Sequence, residues 1–198
     1  VEFDADGKGR ILYALAAIKG VGQQAIEHLV EVRGERPFRD IADFGRRISP
    51  KIINKRTLES LIAAGALDEQ EPDRARLTAG VERILSMASR HQENTALGQG
   101  DMFGAASEKQ PLLLPAVDAW LAAEKLQREH AAVGFYLSAH PLDEYRPVLA
   151  KIRVQTWVDS AAAVKNGATA GRLAGTVTAR QELRTRTGNK MAVLQLSD

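Results

Sequence analysis

Apolar residues fall at Ile11, Leu12, Leu15 and Ile18 and resume at Ala25, Ile26, Leu29 and Val30. Both sets keep the three-and-four spacing of an amphipathic helix. Lys19-Gly20-Val21-Gly22 divides them, and two glycines around one aliphatic residue permit a sharp reversal. The stretch therefore predicts helix, tight hairpin, helix. Asp40 then predicts the cap of a helix running to about Ile48, with Asp43 complementing the dipole in its first turn. Pro50 breaks that helix. Asn54 caps a further helix with Leu58, Leu61 and Ile62 on its apolar face, closing at Gly65. Pro72 opens a helix from Asp73 to about Ser89 with Leu77, Val81, Ile84, Leu85 and Ala88 inward.

From His91 to Pro115 no apolar period survives, and this length is long for a connection inside a compact domain. Helical spacing resumes over residues 117–137, with Gly134 as a kink and Pro141 as a stop, and a short helix follows over 142–150. Residues 169–180 alternate as a curved strand with glycines at 171 and 175. Thr187-Gly188-Asn189 is turn chemistry, and residues 191–196 alternate as a second strand. The fold expected is mainly α with a small β part. Three regions follow: 1–68 as two tandem helix-hairpin-helix units, 69–150 as connecting helices with a loop at 91–116, and 151–198 as the opening of a β-barrel of the OB type, incomplete here. A residue other than methionine at position 1 and an end in mid-strand read as a fragment.

Charge changes the picture more by distribution than by sum. The net charge of the 198 residues is only +2. Between Arg33 and Arg56, however, eight Lys/Arg stand against Glu35, Asp40 and Asp43, and between Arg172 and Lys190 five stand against Glu182. Local basic surfaces in a nearly neutral chain suit an anionic partner. The absence of cysteine excludes disulfides and thiolate metal sites and fits a reducing, cytoplasmic setting. The four histidines show no paired ligand spacing, and no apolar run approaches the length of a membrane span.

The chemistry with a clear physical basis is phosphate binding at the first hairpin. A helix starting after Gly22 leaves its first N–H groups without intrahelical acceptors. Those donors, the positive end of the dipole and Lys19 suit one phosphate. Gly20-Val21-Gly22-Gln23-Gln24-Ala25 also satisfies a dinucleotide fingerprint, but a strand before it and an acid-terminated strand after it are not evident. A plain helical corner without a ligand is the third reading. No phosphate-binding G-x-x-x-x-G-K-[ST] loop, nucleophile elbow or converging carboxylate set is present, so no catalytic site, cofactor or metal is expected. Gln99-Gly100-Asp101-Met102-Phe103 places an apolar pair in a polar segment, a candidate anchor for a protein partner.

The ordered series IKGVG, PFRDIADF, NKRTLESLIAAGALD, QGDMFG, GFYLSAHPLDEY and GRLAGTV…TRTGNKMAVLQLSD resembles the C-terminal part of bacterial DNA polymerase III alpha subunits. The resemblance implies sequence-independent duplex binding by the tandem hairpins. Contacts would come from Lys19, Gly20, Val21, Gly22, Gln23 and Gln24, and from Lys51, Asn54, Lys55 and Arg56 in the second unit, which lacks the glycine pattern. It implies that Gln99, Asp101, Met102 and Phe103 bind the sliding clamp, the beta subunit. Arg184, Arg186 and Lys190 would meet nucleic acid from the first OB hairpin. Other replisome subunits are further candidate partners. The parent would be a DNA-directed DNA polymerase whose catalytic carboxylates lie upstream, with an error-prone paralogue as the alternative within the family. A protein-interaction adaptor on the same helical scaffold is the competing reading outside it.

Overall fold

The computed structural model describes residues 3–5, 7, 11–96 and 111–198. The chain divides into two units, Val1–Leu137 and Ser138–Asp198.

The first unit opens with a short antiparallel pair, β1 (Asp4–Ala5) against β2 (Ile11–Leu12), and a 3₁₀ turn at Leu15–Ala17. The helix predicted before the hairpin is therefore replaced by strand and turn. So short a segment nucleates a helix poorly, and ring contacts hold it otherwise. Tyr13 packs edge-on against Phe3 at 5.0 Å and Phe135 at 5.4 Å, and its hydroxyl donates to the Val133 carbonyl. Next come α1 (Gln23–Arg33), α2 (Ile41–Arg47) and α3 (Lys55–Ala63). The predicted caps are in place. Asp40 accepts from the Asp43 amide at 2.7 Å and Asn54 from the Thr57 amide at 3.0 Å.

Gly65 ends α3 at φ +82, and a Cβ there would stand 2.1 Å from Arg74 Nη2, so both backbone and space demand glycine. The helix predicted from Asp73 is two, α4 (Arg74–Ala79) and α5 (Val81–Ala96), broken at Gly80. Leu114 packs into the break, 2.5 Å from where a Gly80 Cβ would be. Beyond its expected end near Ser89, α5 runs on through residues 91–96, mostly polar and exposed, a stretch that needs no apolar period. Residues 111–115 have no regular structure, yet Leu112 and Leu114 pack against the core. Helix α6 (Ala122–Val133) is shorter than predicted, and Gly134 at φ +101 ends it rather than kinking it. The core joins all of these elements: Ile18, Val21 and Ile26 around the hairpin meet Phe44, Ile53, Leu58, Ile62, Leu77 and Ile84. Full burial of Ile53, Leu58 and Ile62 contributes about 1.5–3 kcal/mol each.

The second unit begins with a 3₁₀ turn (Asp143–Tyr145), α7 (Arg146–Lys151) and α8 (Trp157–Lys165). Sequence reasoning missed α8. Its signal was Thr156 three residues before Asp159: the Thr156 hydroxyl accepts from the Asp159 amide and donates to its carboxylate at 2.8 Å. Strands β3 (Thr176–Arg184) and β4 (Lys190–Ser197) pair antiparallel, with Arg184 opposite Lys190 and a bulge between Val177 and Ala179. The first strand starts later than predicted. Residues 169–175 are held near the end of α7 instead, by Gln155 donating to the Arg172 carbonyl and by Arg172 donating to that of Ile152. No closed barrel forms among the described residues.

Candidate nucleic-acid interface

The hairpin is a single tight turn. The Val21 amide donates to the Ile18 carbonyl at 3.1 Å, and Gly20 takes φ +83, as the third position of a type II turn requires. Val21 points into the core, which pins the loop from inside. The Lys19 amide is also spent, donating to the Ala132 carbonyl on α6 at 2.9 Å. Sequence offers no signal for that partner, which comes from the far end of the unit. The Lys19 ammonium lies 3.6 Å from the Cβ position of Gly134, at the electronegative end of α6.

Gly22 differs from Gly20. It is the N-cap of α1 at φ −80, ψ 154, a conformation open to any residue, and a Cβ there would meet nothing within 4 Å. Among the described residues, no acceptor reaches the amides of Gly20, Gly22, Gln23 or Gln24. All four residues are exposed. The Gln23 side chain turns back to Glu27 at 2.8 Å. Helices α2, α3, α4 and α8 begin with a capping side chain, whereas α1, like α6 and α7, begins with none. The hairpin thus presents outward-facing donors at the positive end of an eleven-residue helix.

The second turn differs in detail. Ile52 and Ile53 donate to the Ser49 carbonyl, Asn54 is committed as a cap, and Lys51 is exposed. Lys55 reaches Glu82 on α5 at 2.7 Å, and that hydrogen bond and charge hold its pKa above the usual lysine value. Arg56 comes to the first hairpin, its Nε 3.7 Å from the Gly20 Cβ position, beside Ser60 Oγ at 3.1 Å. A cleft of about 550 Å³ there brings together Lys19, Gly20, Arg56, Ser60, Trp120 and Arg128. The two hairpin units therefore share one face at Arg56, a meeting that sequence did not reveal.

What fixes this face is a buried ion cluster. Arg74 on α4 donates to Asp68 at 2.6 and 2.8 Å, to the Ala63 carbonyl at 3.0 Å and to Glu129 Oε2 at 3.2 Å. Glu129 is fully buried, and its Oε1 accepts from the Leu137 amide at 2.8 Å. Burial alone would lower the Arg74 pKa, but Asp68 and Glu129 outweigh it and hold it above its ordinary value. The cluster ties α6, and so the Ala132 carbonyl, to α3 and α4.

In the second unit Arg184, Arg186 and Lys190 lie at the turn end of the β3–β4 hairpin, around a turn closed by Thr185, Gly188 and Asn189. Residues Gln99, Asp101, Met102 and Phe103 lie outside the described residues. Among the described residues no three His, Asp or Glu side chains gather as a metal site, and no helix is long and apolar enough to cross a membrane. The dinucleotide reading fails on topology, since β2 pairs antiparallel with β1 and no βαβ unit surrounds the glycines among the described residues.

A family model described as a helix-hairpin-helix motif matches residues 1–77. Among similar proteins are three named DNA polymerase III subunit alpha. The one from Caulobacter vibrioides is 39% identical over 191 residues, which is 96% of this chain and 17% of the relative. Those from Vibrio cholerae and Escherichia coli K12 are 37% and 31% identical over 200 residues, each covering 99% of this chain and 17% of the relative. The chain thus spans about one sixth of the length of these relatives.

Proposed function

Starting from a chain homologous over nearly its whole length to a segment of bacterial DNA polymerase III alpha subunits, we propose that it is a non-catalytic region that holds duplex DNA for a replicative polymerase. The observation that carries this reading is Gly22. Neither the backbone nor the surrounding space of the folded chain asks for glycine there, and Asp, Ser or Asn would cap α1 better. An open helix start is instead what a phosphate oxygen needs to approach main-chain N–H groups. Gly20, Gly22, Gln23 and Gln24 supply the amides, while Lys19 and Arg56 supply charge beside them. Such contacts grip backbone and read no bases.

The second element of the proposal is a tether. Gln99 hydrogen-bonds at the rim of a pocket on the beta clamp while Met102 and Phe103 fill it, with Asp101 between them. Burying that pair contributes about 3–5 kcal/mol before ordering costs. A clamp that encircles DNA turns even this into a high local concentration of polymerase at its template. The basic end of β3–β4 serves as the first strands of an OB fold facing a single strand. The parent enzyme is a DNA-directed DNA polymerase working in the cytoplasm, and the chemistry belongs to residues outside this region.

Gly22→Asp separates the reading from its rivals. The carboxylate caps α1, so the melting temperature holds or rises, while a negative charge now occupies the phosphate position. Duplex affinity measured by fluorescence anisotropy should fall by on the order of tenfold or more. Unchanged affinity in a well-folded Gly22→Asp chain would refute the phosphate grip and favour an adaptor.

A further inference from the structure

A second basic surface lies on the first unit, along α5. Two adjoining hollows of about 540 and 950 Å³ share Arg46 and His91 and form one groove between α2 and α5. Helix α5 lines it with Arg83, Met87, Arg90 and Asn94, positions spaced four, three and four apart and so on one face. The opposite face of α5 buries Val81, Ile84 and Ala88. The groove is therefore the outward stripe of a helix already anchored in the core.

Most cations of this unit near an acid are committed internally: Arg36 and Arg47 to Asp43, Lys55 to Glu82, Arg74 to Asp68 and Glu129. Arg46 and Arg90 are not. Among the described residues neither has a carboxylate partner. Arg83 gives one nitrogen to the Leu113 carbonyl at 2.7 Å and keeps its charge unpaired. Of the carboxylates lining the groove, Glu82 is held by Lys55, which leaves Glu93. At its other end the groove reaches Lys51, in the turn of the second hairpin unit.

From this we infer that the Arg46–Arg83–Arg90 groove is an additional phosphate track, carrying the DNA backbone from the second hairpin turn along α5. The inference rests on the duplex-binding reading above. Guanidinium groups present paired N–H donors to phosphate oxygens, and three of them in one groove repel each other until an anion enters. The lining contains no Phe, Tyr or Trp, and the His91 imidazole alone makes no continuous stacking platform, so the groove suits a phosphate backbone better than a splayed single strand. Continuity with Lys51 favours nucleic acid over an acidic peptide.

The test uses the whole 198-residue chain and a labelled mixed-sequence duplex of about 20 base pairs, titrated between about 50 and 300 mM salt. Combining Arg46→Gln with Arg90→Gln should lower the slope of log affinity against log salt by about two and weaken binding by on the order of tenfold at 0.1 M. Lys125→Gln on α6, outside the groove, should change neither. If the double variant melts early, Arg90→Gln alone, on an exposed side chain, should remove about one from the slope. An unchanged slope, with Gly22→Asp still defective, overturns the track and leaves the hairpin reading intact. Absence of duplex binding by the unaltered chain overturns both. Unchanged duplex binding with loss of binding to a labelled decaglutamate would assign the groove to an acidic protein instead.

Discussion

Replacing Glu129 by Gln tests whether the buried ion cluster holds the hairpin face together. Glutamine keeps the shape and one carbonyl oxygen, so the 2.8 Å bond from the Leu137 amide can survive. The other atom becomes an NH₂ facing Arg74 Nη1 at 3.2 Å, donor against donor. Breaking a buried pair by removing one charge costs about 3–5 kcal/mol when the other is left uncompensated. Arg74 keeps Asp68 through two short bonds, and Asp68 is about one third exposed, so compensation is partial. The expected loss is about 2–3 kcal/mol.

The assay is urea unfolding in a Trp157→Phe background, where Trp120 becomes the sole tryptophan and reports on the first unit alone. Trp157 is 64% exposed, so its replacement disturbs little. A midpoint shift equivalent to less than about 1 kcal/mol, at constant slope, would refute the role given to the cluster. Pairing Glu129→Leu with Arg74→Met should recover only part of the loss, because no fully buried charge is stranded but Asp68, the Ala63 carbonyl and the Leu137 amide lose their partners. Glu129 stands one turn before Ala132. In Glu129→Gln the Lys19 amide should therefore exchange with solvent faster, even where the chain remains folded.

Asp43 is 2% exposed, and although burial raises its pKa, the Arg39 amide and the guanidiniums of Arg36 and Arg47 outweigh that and hold it below the usual carboxylate range. A lowered folded pKa gives stability that is complete above about pH 4 and is lost as pH falls through the folded value. Asp43→Asn should thus cost about 2 kcal/mol at neutral pH, with the gap to the parent chain closing below about pH 4 in pH-dependent urea unfolding. Met102→Ala with Phe103→Ala should abolish binding to purified beta clamp in a pull-down while duplex affinity stays the same; loss of both together would contradict separate sites.

What could be read from sequence follows the range of the interaction involved. Asp40, Asn54 and Gly65 act within a few residues of themselves, and each stands where its cap rule places it. Thr156 obeys the same rule, yet its helix is hard to read from sequence because the following Ala-rich run shows no apolar stripe. The first arm of the hairpin failed for the opposite reason. Its apolar spacing satisfies a helix, but Tyr13 is claimed by Phe3 and Phe135, a tertiary contact that periodicity does not encode. Gly80 reads as a tolerable glycine in a helix until Leu114 is seen lying against it. At the hairpin itself, sequence identified the loop but not the division of labour, in which Gly20 makes the turn and Gly22 leaves the helix start open.

The same distinction governs the charges. Eight cations between Arg33 and Arg56 look like one basic surface when counted along the chain. In three dimensions Arg47 reaches the carbonyls of Val32, Arg33 and Arg36, stacks on Phe38 at 4.7 Å and pairs with Asp43, so it ties α2 to the end of α1. It is a structural cation. Arg36 is drawn to the same carboxylate, and Lys55 to Glu82. A cation that already neutralises an internal acid releases little when it meets phosphate, because that acid must give up its partner first. On the proposed reading, the salt dependence of duplex binding should therefore be set by the uncommitted group, Lys19, Arg46, Lys51, Arg56, Arg83 and Arg90, and not by the cations already held by internal acids.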